Sequence, residues 1–304
     1  CGAEHAVSVN SATTALYLTN QLLRLNAGDE IIGTPQTFRS TFLGAASRGV
    51  NIKFADIDPE TLNIDPDTIE GQITPRTKAI YVMHYGGNPV DMEPVMDIAR
   101  KYGLTVVEDA AHAPGAQYKG KMIGSIADIT CFSFHSLKNM STLGEGGMLT
   151  TNNPVFADEA RELRAMGVLG EMSARANSKI GPYAEPDPKL RDHSGFSYSH
   201  DYLSIEEWGS NFRMSEVQAA IGLVQLQKLD ELNARRTDIA QHYTDGLASI
   251  EGIRVPRTTP DSRSVWHLYP CFLDRSVVNA SREQFIRFLE QEKGIEIVLR
   301  YFPV

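Results

Sequence analysis

Over its first 151 residues the chain alternates short apolar runs with helix-like stretches. That alternation limits the fold more than any other feature. Residues 6–9, 30–33, 51–57, 77–84, 104–107, 129–135 and 148–151 read as strands, and 13–25, 36–47, 65–73 and 91–102 read as helical. Strands separated by helices of 10 to 15 residues build βαβ units and a mainly parallel sheet. The expected fold is therefore α/β. Residues 167–210 break the pattern, being polar and rich in Gly, Ser, Tyr and Pro, and read as an extended loop or insertion. Beyond them, 215–250 carries a long helical pattern, with Val217, Ile221, Val224, Leu226, Leu229 and Leu232 on roughly one stripe. Residues 253–255 and 264–273 look like strands, 281–293 like a capped helix and 295–301 like a last strand. The expected organisation is a large α/β domain over 1–210 and a smaller α+β domain over 211–304.

Composition narrows the function. The chain has 304 residues, 42% hydrophobic and 22% charged, with a net charge of −9. That balance suits a soluble enzyme and argues against a broad nucleic-acid-binding surface. The longest apolar runs fall far short of the roughly 20 residues a membrane-spanning helix needs, and no signal-peptide pattern opens the chain. Three widely spaced cysteines, Cys1, Cys131 and Cys271, form neither a disulfide framework nor a CxxC metal site, which points to the cytoplasm. Cys1 in place of Met, and an apolar end at Val304, suggest a chain cut from a longer one.

Three features can carry chemistry. Asp109 stands where an apolar strand ends, and open α/β sheets bind ligands outside the carboxyl ends of their strands. A carboxylate there can ligate a metal, act as a base or pair with a cationic ring nitrogen. It can equally be a turn former. The alanines at 110, 111 and 113 leave room for something to approach, and His112 can face the same side. Lys138 follows a second apolar strand, and a desolvated lysine becomes a nucleophilic amine. A snorkelling surface lysine is the plain alternative. Gly144, Gly146 and Gly147 just beyond it suit a backbone passing tightly around a ligand. Ser11, Thr13 and Thr14 open a helix whose N-terminus can hold phosphate, although a simple N-cap explains them too. A lysine amine, an acid at a strand end and a phosphate cradle are together what pyridoxal phosphate requires.

Several segments then resemble one family: 107–113 (VEDAAHA), 118–120 with Gly124, 131–134 (CFSF) with Lys138 and Asn139, and 144–147 (GEGG). So do 11–16 (SATTAL), 35–38 (PQTF), 84–86 (HYG) and 211–214 (NFRM). They are similar to the DegT/DnrJ/StrS nucleotide-sugar aminotransferases, of the fold-type-I pyridoxal-phosphate class. The resemblance implies that Lys138 binds the cofactor covalently, that Asp109 pairs with its ring nitrogen and that His112 lies near its phenolic oxygen. It further implies that Thr13, Thr14 and Ser133 hold the phosphate and that Phe38 stacks on the ring. Asn211 is implied to reach the phosphate of a neighbouring subunit, which makes the expected unit a homodimer. The implied reaction moves an amino group from L-glutamate to a nucleotide-linked keto-sugar in polysaccharide biosynthesis. A pyridoxal-phosphate sugar dehydratase, or a non-catalytic regulatory member of the fold, are the alternatives.

Overall fold

The structure, a computed structural model, describes residues 1–167, 209–297 and 304. Its centre is a seven-stranded sheet in the order β1-β9-β8-β5-β4-β2-β3. The strands are β1 (His5–Val9), β2 (Glu30–Gly33), β3 (Asn51–Phe54), β4 (Thr77–Met83), β5 (Thr105–Asp109), β8 (Ile129–Ser133) and β9 (Gly147–Thr151). β3, β2, β4, β5 and β8 run parallel, and β9 runs against both of its neighbours. The sheet is mainly parallel, as the alternation predicts.

Helices α1 (Ala12–Leu22), α2 (Ser40–Ser47), α3 (Met92–Tyr102) and α4 (Pro154–Leu163) surround it. Successive strand residues point to opposite faces, so one strand feeds two cores. Ile32, Ile80, Val82 and Val106 enter one apolar cluster. Ile31, Ala79, Tyr81 and Val107 enter the other, with Leu16 and Leu18 of α1. Burial on both faces is why these strands read as nearly continuous apolar runs rather than strict alternations. Each fully buried Ile or Leu contributes about 1.5–3 kcal/mol.

Some boundaries differ from expectation. The helix expected over 65–73 is two 3-10 turns, Pro66–Thr68, capped by Asp65, and Glu70–Gln72, where Gly71 lowers helix propensity. A hairpin of β6 (Gln117–Tyr118) and β7 (Lys121–Met122) turns at Lys119 and Gly120, both with positive φ. Of the strand expected over 264–273 only residues 272–273 form one, and a second short strand lies just before the expected span at 262–263. β11 (Ser262–Arg263) pairs with β6, whereas β12 (Phe272–Leu273) pairs with β10 (Ile253–Arg254). Between them Trp266 takes a left-handed backbone, φ 48°, which no strand accommodates. Residues 295–297 form no strand, and the rest of the strand expected over 295–301 lies outside the described residues, as does most of the polar stretch 167–210.

The long helix α5 (Glu216–Leu247) begins with a capping box of Ser215 and Gln218. Helix α6 (Arg282–Lys293) begins with another, of Ser281 and Gln284. The expected stripe on α5 does not turn inward. Of its members only Leu229 is buried, while Val217, Val224, Leu226 and Leu232 are exposed. Asn233 and Ala240 continue the buried line. No described helix is long and apolar enough to cross a membrane. The division into 1–210 and 211–304 stands as a proposal. Val265 and Leu229 enter a core built mostly by the first part, so the second leans closely on it.

Candidate active site

Parallel strands β4, β5 and β8 end at one edge of the sheet, where Met83 pairs with Asp109 and Asp109 with Cys131. That edge gathers most of the residues singled out from the sequence. Asp109 is the last residue of β5 and is 2% exposed. Its Oδ2 accepts from the Thr41 hydroxyl at 2.7 Å, and its Oδ1 accepts from the Ala111 N–H at 3.1 Å. Thr41 already gives its proton to Asp109, so the Thr37 hydroxyl, 2.6 Å away, donates to Thr41. The β2–α2 turn thereby clamps the carboxyl from one side. Burial pushes the Asp109 carboxyl above its ordinary value, against the opposing pull of these two hydrogen bonds and of the nearby Lys138 charge. A cation placed against it would favour the ionised form.

Lys138 is half-buried and sits on a closed loop beyond β8. Phe134 N–H donates to Gly146 O at 2.8 Å and Ser136 N–H to Gly144 O at 2.9 Å, while Thr142 N–H returns to Phe134 O at 3.0 Å. Beside it, the Asn139 amide is buried and donates to Val265 O at 2.8 Å and to Asn233 Oδ1 at 3.0 Å. The lysine thus rides on a loop tied to α5 and to the chain after β11.

The third part is a cradle. Ser133 ends β8 and pairs with Gly147, which also faces Val9 at the end of β1. There the chain turns into α1. Ser11 caps that helix, its Oγ accepting from Thr14 N–H at 3.1 Å, and the Thr14 hydroxyl donates to Asn10 Oδ1 at 2.6 Å. Thr13 faces outward, and the N–H groups of Ala12 and Thr13 have no intrahelical carbonyl to reach. A Cβ on Gly147 would lie 2.4 Å from the Ser11 carbonyl carbon and 2.7 Å from Ala12 N, so only glycine lets β9 back this turn. First-turn N–H groups, the Thr13 hydroxyl and Ser133 form a donor set that suits a phosphate. A buried acid and a half-buried lysine beside it suit a pyridine ring carrying an aldehyde. The residues fit pyridoxal phosphate.

His112 is 1% exposed, and its Nδ1 accepts from the Gly86 N–H at 3.3 Å, which leaves its proton on Nε2. Phe38 is 45% exposed, between Thr37 and Thr41. Asn211 stands apart. It is exposed and bridges to Ala165, and among the described residues no hydrogen bond joins its side chain to the others. Its neighbour Phe212 accepts from Asn10 N–H at 2.8 Å, just before the cradle.

Sequence reading missed Thr37 and Thr41, although their spacing of four on the turn into α2 was a usable signal. It also missed Asn139 and Asn233, whose partners are far away in the chain. Glu108 and His84, both fully buried with Oε1 and Nε2 3.3 Å apart, were missed as well.

A mainly parallel sheet with its site at this edge is an α/β arrangement, and similarity to known proteins places the chain among the fold-type-I pyridoxal-phosphate-dependent aminotransferases. The model of the DegT/DnrJ/EryC1/StrS aminotransferase family matches residues 1–304, and the chain belongs to that family. It is 40% identical, over its whole length and 73% of the relative's, to the spore coat polysaccharide biosynthesis protein SpsC of Bacillus subtilis. Two solved structures are similar. One is PseC of Helicobacter pylori, an aminotransferase involved in the biosynthesis of pseudoaminic acid, with a TM-score of 0.83 and 28% identity over 99% of this chain and 74% of that one. The other is NtdA of Bacillus subtilis with bound cofactor PMP, with a TM-score of 0.79 and 29% identity over 97% of this chain and 60% of that one.

Proposed function

We propose that the protein moves the amino group of L-glutamate to a keto group on a nucleotide-linked sugar, in two half-reactions at the edge of the sheet. The observation that carries this reading is the buried Asp109 carboxyl lying within electrostatic reach of Lys138, beside the N–H donors that open α1. Pyridoxal phosphate, when bound, supplies the electron sink that spreads the charge left on the donor carbon. Lys138 would hold the cofactor covalently, and its Nζ, when free, would serve as the base that moves a proton at the donor carbon. Asp109 opposes the positive charge on the ring nitrogen. His112, its tautomer set by Gly86, would donate from Nε2 to the phenolic oxygen. Thr13 and Ser133, with the first-turn N–H groups of α1, would hold the phosphate, and Phe38 would cover the ring. Thr14, expected to join them, instead gives its N–H to Ser11 and its hydroxyl to Asn10 and so shapes the turn.

Asn211 completes the phosphate site of a second copy in a homodimer. Its exposure supports this role, and so do apolar residues that are exposed among the described residues. Leu137 and Leu143 on the lysine loop, and Val217, Leu223, Val224 and Leu226 on α5, are all more than 45% exposed. Such clustering of large apolar side chains marks an association surface. SpsC is named for the biosynthesis of a spore coat polysaccharide, which supports a sugar as the acceptor.

The test is a screen. Cofactor-loaded protein is reacted with glutamate, stripped of 2-oxoglutarate and offered nucleotide-linked keto-sugars, their free-sugar counterparts and simple 2-oxo acids, with products read by mass spectrometry. An amino sugar still carrying its nucleotide is expected. Products that have lost water instead, or amination of 2-oxo acids alone, would contradict the reading.

A further inference from the structure

The chain after β11 reaches into the site wall at one point, and three observations converge there. The His267 ring lies over the His112 ring, with centroids 4.3 Å apart and planes tilted by 33°. His267 Nδ1 lies 3.1 Å from Asn139 Oδ1, on the residue next to Lys138. Residues 265–268 are laid along the turn after β4, with Val265 N–H donating to Gly87 O at 3.0 Å and Leu268 N–H to Gly86 O at 3.1 Å.

The hydrogen bonds assign the protons without ambiguity. The Asn139 amide nitrogen serves Val265 O and Asn233 Oδ1, and the Asn233 amide nitrogen serves Pro114 O at 2.9 Å. Asn139 Oδ1 is therefore an acceptor, and His267 Nδ1 must carry the hydrogen it gives. Gly86 N–H gives to His112 Nδ1, so the two stacked rings hold opposite tautomers. The approach is built into the backbone. A Cβ on Gly87 would lie 2.8 Å from His112 O, 2.9 Å from Val265 Cγ2 and 3.1 Å from His267 N. Trp266, directly before His267, takes the left-handed φ of 48°. Such a conformation persists where its surroundings over-determine it.

We infer that His267 is a positioning residue for the amino transfer. Its ring, anchored by Asn139, fixes the plane of His112 and with it the direction of the Nε2–H. It acts through His112 and touches no substrate. The inference rests on the proposed role of His112 against the phenolic oxygen. Because Asn139 holds both His267 and the shoulder of the lysine loop, one side-chain amide sets the relative placement of His112 and Lys138.

The experiment is a double-mutant cycle on cofactor-loaded protein, with wild type, His267→Ala, His112→Ala and the double variant. The readouts are the visible circular dichroism of the bound cofactor and the kcat and KM for glutamate. His267→Ala is expected to change the visible dichroism and lower kcat about tenfold, as a misplaced group does, with KM for glutamate nearly unchanged. In the His112→Ala background the same replacement should have no further effect. Equal losses in both backgrounds, or an unaltered dichroism and kcat in His267→Ala, would overturn the inference. If His112→Ala alone matches wild type in both readouts, the proposed role of His112 fails, which is a separate result. Should His267→Ala not fold, His267→Gln removes the ring while keeping an amide donor for Asn139 and enters the same cycle with the same expectations.

Discussion

Asp109→Asn should slow the half-reaction with glutamate about a thousandfold while the cofactor stays bound. The size follows from removing a preorganised charge in a water-excluded site, which typically costs 10²- to 10³-fold. Asparagine keeps the volume and the strand end. Its carbonyl can still accept from Thr41 at the place where Asp109 Oδ2 now lies 2.7 Å away. The Ala111 N–H then faces an amide nitrogen instead of an oxygen, a loss of about 1 kcal/mol. What disappears is the negative charge opposing the ring nitrogen, so protonation of that nitrogen is no longer favoured in a buried pocket. Binding suffers less, since Lys138, Thr13, Thr14 and Ser133 are untouched. Single-turnover mixing with glutamate, followed at the visible band of the lysine-bound cofactor, measures the step directly. Near-wild-type conversion would mean that Asp109 serves the fold alone.

Mixing an inactive variant with a weakened one, at limiting cofactor, should restore activity. Lys138→Ala subunits keep Asn211, and Asn211→Ala subunits keep Lys138. If Asn211 completes the phosphate site of the other copy, a mixed dimer holds one site with both native groups and one with neither. Random exchange in an equimolar mixture then gives about a quarter of the wild-type sites, by the statistics of a two-fold dimer. Each variant alone should remain near background for Lys138→Ala and weakened in cofactor affinity for Asn211→Ala. Activity is measured against time after mixing, with exchange followed independently by native mass spectrometry. A mixture that never exceeds either parent, although exchange is complete, would place Asn211 in its own subunit's site or in none.

How far the sequence could be read depended on whether a residue's partners were near it in the chain. β2 was read from its apolar run with both ends correct, and α3 to within one residue, because Gly103 supplies the left-handed stop such helices need. Asp109 and Lys138 stood out because each follows an apolar strand. The spacing of Thr37 and Thr41 puts both on one side of the turn into α2, but that they clamp Asp109 was not legible, since that contact spans 68 residues. The links of Asn139 to Asn233 and Val265 span 94 and 126 residues, and no periodicity encodes such pairings. The α5 stripe misled for a different reason. Period 3.6 identifies an apolar face but not what covers it, and on α5 most of that face is exposed among the described residues. The expected strand over 264–273 failed at Trp266, where the backbone follows the docking of His267 rather than its β propensity.

The central claim is that Lys138 carries the cofactor in an aminotransferase built on this sheet edge. Borohydride reduction of the loaded protein, followed by proteolysis and mass mapping, tests it in one step. Reduction makes the link between lysine and cofactor permanent. The mass of the reduced adduct should appear on the peptide containing Lys138 and be lost in Lys138→Ala. An adduct on any other lysine, or none in protein that shows the visible cofactor band, would contradict the account.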